Sequence, residues 1–147
     1  MRKQIYLAIT ERLKNLKDVN DNQVIKHFDL WNLNVEFIEQ ETPFNMPAVF
    51  IEFAAIDWKT LSGGIQQADI TVMLHVITRW HGTAADGAST REDALAYFDL
   101  LDQINKAMFG LKGEGFSAFK RVKSFTNHNH EEIIESIESY STFVVDR

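Results

Sequence analysis

The side chains best suited to chemistry cluster near the C-terminus, where His128 and His130 precede Glu131 and Glu132. Imidazole nitrogens and carboxylate oxygens suit zinc and related ions, and residues two apart on a strand share a face. A structural zinc site draws four ligands from separated positions, however, and Asn127-His128-Asn129-His130 has the composition of a polar hairpin tip. The tetrad therefore reads as a solvated turn. Glu135 and Glu138 extend the acidic run, but strand alternation sets Glu131 and Glu135 on one face and Glu132 and Glu138 on the other. That split argues against a single metal cage. No metal and no cofactor is expected.

Other candidate groups are weaker still. His81 and Asp86 could form an acid–base pair, yet no motif places a nucleophile beside them, and the surrounding small residues read as a surface loop. Gly63-Gly64 lacks the further glycine spacing, the Lys-Ser/Thr ending and the following helix of a phosphate loop. It reads instead as a turn that needs positive φ. His75, Arg79 and Tyr97 are the only polar set loosely suggestive of a ligand pocket. With no cysteine in the chain, thiol catalysis, disulfides and Cys-type zinc sites are excluded together. The expectation is a protein without enzymatic activity.

These side chains must be carried by a core, and the chain has the material for one. Its 147 residues fit a single domain, with 45% apolar residues, three Trp and eleven Phe. Ile5, Ala8, Ile9, Leu13 and Leu16 recur at helical spacing, and Asp18 to Asn22 supplies turn residues to end that helix. Between Val24 and Gln40 the pattern mixes a helical turn (Val24, Phe28, Trp31) with alternation at Leu33, Val35 and Phe37, and is read as a short strand or extended connector. Pro43 and Pro47 bias the chain toward extended geometry. The strand after them, Ala48 to Ile56, is apolar on both faces, as a covered central strand is.

A second strand follows the Gly63-Gly64 turn. In it Ala68, Ile70, Val72, Leu74 and Val76 form one face, while Gln67, Asp69, Thr71, Met73, His75 and Arg79 form a wetter one. The two strands make a long, protruding β-hairpin. Ser89 and Glu92 have the spacing of a capping box ahead of an apolar stripe from Ala94 to Met108, with Gly110 as the stop. Phe116 to Asn127 and Glu132 to Val145 close the chain as an antiparallel pair. The order predicts an α+β fold: an antiparallel β-sheet with helices packed on one face.

Trp58, Leu61 and Ile65 surround the hairpin turn, where apolar side chains are costly unless covered. Core packing and a partner contact are both open for them. With His81 and Asp86 in the later loop they form the candidate subunit or partner interface. No run approaches the ~20 apolar residues of a membrane span, and residues 1–9 hold no signal-like apolar stretch, so the expectation is a soluble chain, intracellular at synthesis.

The strand opening Met46-Pro47-Ala48-Val49-Phe50-Ile51-Glu52-Phe53, together with the order of elements, resembles the tail terminator (tail completion) proteins of long-tailed bacteriophages and their prophage relatives. The resemblance spans nearly the whole chain and rests on pattern, because that family has no diagnostic catalytic motif. It implies a homo-oligomer, a hexameric ring, that caps the tail tube, ends its polymerisation and contacts the tube protein and the head–tail connector. It further implies a location in the bacterial host cytoplasm during assembly and then in the virion tail. A small intracellular adaptor or ligand-binding domain without a ring is the alternative from the residues alone.

A formal net charge of −6 disfavours binding by phosphate neutralisation, so no specific nucleic acid is expected as a partner. The isolated protein should show no affinity for duplex DNA at physiological salt in fluorescence anisotropy. Tight binding that weakens steeply with added salt would instead reveal a basic surface built from Lys112, Lys120, Arg121 and Lys123.

Overall fold

A computed structural model describes residues 1–35 and 44–147. Helix α1 (Arg2–Lys14) leads into a short strand β1 (His27–Leu30), followed by β2 (Ala48–Phe53), β3 (Lys59–Thr60), and the long strand β4 (Gln66–Arg79). Helix α2 (Arg91–Met108) and the closing strands β5 (Lys120–Asn127) and β6 (Ile133–Asp146) complete the chain. The α+β class and the long hairpin are both present. Within the described residues the sheet has six strands in the order β1-β2-β4-β6-β5, with β3 added to the β4 end.

All pairings are antiparallel except β1 on β2, which run parallel, so the sheet is mixed. The strand expected from the alternation of Leu33 and Val35 falls earlier, at His27–Leu30, and Leu33 itself has φ of 53°. A strand cannot continue through a left-handed residue. Phe37, Glu36 and Pro43 lie outside the described residues. Pro47 immediately precedes β2, as expected from its fixed φ.

Register decides which side chains meet. Val49, Ile51, Ile70, Val72, Leu74, Val76, Tyr140 and Val144 line one face, where Ile5, Ile9 and Leu13 of α1 and Leu100, Ile104 and Met108 of α2 cover them. Both helices thus pack on one face. On the reverse face a smaller cluster of Val35, Phe44, Ala48, Phe50, Ile77 and Ile133 fills one end of the sheet. That end is dry, whereas the sequence marks the His75 row of β4 as partly wet; His75 is buried because the segment around Trp31 covers it.

Helix α2 begins one residue later than the Ser89–Glu92 spacing predicts. Thr90 is its N-cap and makes no side-chain cap bond, because its hydroxyl donates to the Thr83 carbonyl (2.7 Å) in the preceding loop. Gly110, at φ 75°, ends the helix as expected. Tyr140 donates to Asn105 Oδ1 (3.3 Å), joining β6 to α2. Burial, reinforced by the Glu138 carboxylate, pushes its phenol well above the ordinary range, so it remains a neutral donor.

Ile104 is fully buried between α2 and the sheet, and Leu7 is half exposed on the outer side of α1. Ile104→Ala is expected to lower unfolding free energy by about 2–5 kcal/mol through lost burial and a cavity. Leu7→Gln should change it by no more than about 0.5 kcal/mol. Urea unfolding checks both, and comparable losses at the two sites would contradict this layering.

Candidate functional site

The strongest polar constellation lies on the reverse face, where three strands bring together residues far apart in sequence. β4 supplies His75, β2 supplies Glu52 and β6 supplies Glu135. His75 Nδ1 lies 2.9 Å from Glu135 Oε1, and its Nε2 lies 2.6 Å from Glu52 Oε2. Each contact joins a ring nitrogen to a carboxylate oxygen, so two hydrogens are held among the three groups. Trp31 lies flat on the imidazole, with centroids 3.8 Å apart and planes within 2°. Glu135 Oε2 accepts a further bond from Asn127 Nδ2 (3.2 Å), which brings in β5.

His75 and Glu135 are buried, while Glu52 keeps 36% of its side chain exposed and is therefore the group of the three that meets water. A cavity of about 370 Å³ adjoins Glu135 and Trp31 and is also lined by Asn127, Asn129 and His130. A general base needs a lone pair within reach of a substrate proton. Both nitrogens of His75 are occupied inside the protein, and Trp31 seals one face of its ring. The trio ties β2, β4, β6 and the Trp31 segment together.

A larger groove, of about 610 Å³, opens at the far end of the helix-covered side. Its walls come from the loop after α1 (Lys17, Asp18, Val19), from Pro47, from the end of β4 and from the α2 face carrying Asp93, Ala96, Tyr97 and Leu100. Most of that surface is apolar. Thr78 Oγ1, buried on the groove wall, has no hydrogen-bond partner. Burial raises the Tyr97 phenol, keeping it neutral at pH 7. At the rim, backbone N–H groups of Asn22 and Asn20 donate to Asp18 Oδ1 and hold its carboxyl below the usual range.

The residues singled out by sequence separate into two groups. Trp58 and Leu61 stand at the hairpin end, 38% and 37% exposed, and Ile65 is half-buried beside them with its carbonyl accepting from Leu61 N (2.7 Å). His81 and Asp86 lie past the other end of β4, which at about 3.3 Å per residue is roughly 40 Å away. His81 lines the large groove, and exposed Asp86 pairs with Arg91 of α2. The loosely grouped His75, Arg79 and Tyr97 divide as well: Arg79 and Tyr97 border the groove, whereas His75 is on the reverse face.

Glu135 and Glu138 fall on opposite faces, as alternation requires. Glu135 meets His75, and buried Glu138 accepts from Ser124 on the helix side. Among the described residues no three His, Asp or Glu side chains form a metal-holding group. The Glu52–His75–Glu135 trio is missing from the sequence reading because its members are 23 and 60 residues apart. The one available signal was a histidine in the middle of a strand whose two neighbours each carry an acidic residue.

His75→Leu leaves Glu135 buried without its main partner and is expected to cost about 3–5 kcal/mol. Replacing both, as His75→Leu/Glu135→Leu, should recover most of that loss, since an apolar pair of similar volume is often neutral or better. Urea denaturation of the single and double variants tests the coupling, and strictly additive losses would refute it. The sequence matches no protein-family model and no curated protein.

Proposed function

We propose that this chain is a structural assembly subunit that associates with copies of itself into a ring, of the kind that caps a phage tail tube and joins it to the head connector. The observation that carries this reading is the hairpin end, which presents Trp58 and Leu61 to solvent beyond the helix-covered core. Large apolar side chains exposed at a turn gain by leaving water against a partner, and Trp is a typical interface anchor. The polar chemistry points the same way. The best acid–base group, His75, has both nitrogens engaged within the fold and Trp31 over its ring, which suits a scaffold better than a catalyst.

The edges of the sheet also fit a discrete assembly. β5 exposes Lys120, Arg121 and Lys123 along its length and is broken by an irregular register at Val122, features that discourage open-ended strand addition. In this reading the partners are further copies of the chain, the tube protein and the connector, and its place is the virion tail after assembly in the host cytoplasm. Duplex DNA passing through such a ring would meet a subunit of net charge −6.

Light scattering and negative-stain imaging should find oligomers of closed, ring-like outline. Leu61→Asp should leave the circular dichroism spectrum unchanged and raise the dissociation constant about tenfold or more, because a carboxylate would be desolvated at the contact. Loss of folding would place Leu61 in the monomer core. Unchanged assembly would remove the hairpin end from the interface.

A further inference from the structure

The two ends of β4 carry surfaces that complement each other. At one end stand Trp58 and Leu61 with Lys59 between them, all exposed. At the other end lies the groove of about 610 Å³, with mostly apolar walls, the carboxylates of Asp18, Asp93 and Asp99, and the cations of Lys17 and Arg79. We propose that this groove receives the Trp58–Leu61 hairpin end of a second copy of the chain. The inference rests on the ring reading above and specifies which surfaces meet.

Three features select that occupant. The volume lies within the range, about 300–1,000 Å³, that encloses a compact body, and so suits two large side chains on a turn. The chemistry is complementary. Trp58 and Leu61 suit the apolar walls, and the Lys59 ammonium suits Asp93 and Asp99, whose carboxylates together with Asp18 outnumber the Lys17 and Arg79 cations of the same groove. Finally, the roughly 40 Å between the two ends of β4 prevents a hairpin end from reaching its own groove. Each copy therefore gives one end and receives another. Where giver and receiver are successive copies the contact is heterologous and generates a ring when its rotation closes, whereas two copies that exchange ends reciprocally stop at two.

The cysteine-free chain allows a clean test. Ser62 and Ala96 are exposed, one on the hairpin end and one on the groove wall. Under mild oxidation Ser62→Cys/Ala96→Cys should give a ladder of covalent species beyond the dimer, while either single variant can give at most a dimer. Adding Trp58→Ala to the double variant should slow the ladder about tenfold or more while leaving the circular dichroism spectrum unchanged. Light scattering on the unmodified protein separates the two levels of the proposal. A monomer at all concentrations would overturn the ring and this contact together. An oligomer whose double variant stops at the dimer, or whose Ala96→Cys thiol reacts with a maleimide as fast in the oligomer as in the dissociated chain, would overturn the contact alone. Either of those results would leave the groove to a small ligand or another partner.

Discussion

The whole architecture depends on β4 being paired on both sides. Over 14 residues it bonds to β6 along its full length, and on its other side to β2 and then β3. Residues 72–77 are bonded on both edges, and each face is covered only where the rest of the chain lies over it: Ile70, Val72, Leu74, Val76 and Thr78 are buried toward the helices, while Asp69 on the reverse face is exposed. On the helix side the match is mostly apolar, with buried Glu138 held by Ser124. α1 and α2 lay their stripes across alternate residues of β2, β4 and β6, and substituting one changes packing at one place.

The reverse face is solved differently. At His75 the strand places a titratable ring where burial would be costly without partners, and two carboxylates on the neighbouring strands supply them. Trp31 then closes the ring's exposed face and packs edge-on against Phe50 (6.2 Å, 68°), linking the polar trio to the small apolar cluster. A buried polar trio of this kind often contributes no more net stability than apolar side chains of the same volume, because desolvation offsets much of the attraction. Its advantage lies in register. Slipping β4 by one residue against β2 or β6 would strip His75 of both carboxylates and turn the ring to the helix side.

What the sequence made legible follows from the range of each interaction. The alternation of Ala68 to Val76, the stripe from Ala94 to Met108 and the closing pair around His128–His130 are local patterns, and each appears as an element. Helix α2 starts at Arg91 with no Ser89–Glu92 capping box because Thr90 bonds back to Thr83, a contact that depends on the path of the loop. The Glu52–His75–Glu135 trio depends on three-strand register, and the groove on where α2 comes to rest. Neither has a local signature. Trp58 and Leu61 were legible as turn-flanking apolar residues, but their exposure was not, since burial at a hairpin end is decided by what else reaches it.

The placement of exposed apolar groups bears on how such a fold can assemble without aggregating. A six-stranded sheet offers two edges, and here one is the four-residue β1 while the other is β5, with its three basic residues and its irregular register at Val122. Both are poor templates for adding another strand. With the edges blunted and the helix face occupied, the two ends of β4 carry large solvent-facing features, beside exposed Phe125 and Phe143 on the closing strands. One end carries the exposed Trp58 and Leu61, and the other is a groove with mostly apolar walls. Both ends are anchored to β4, which is bonded to β6 along its full length and to β2 over residues 72–77, so the strand fixes where they stand relative to each other. A fixed angle is the physical requirement for a closed ring in place of an open filament.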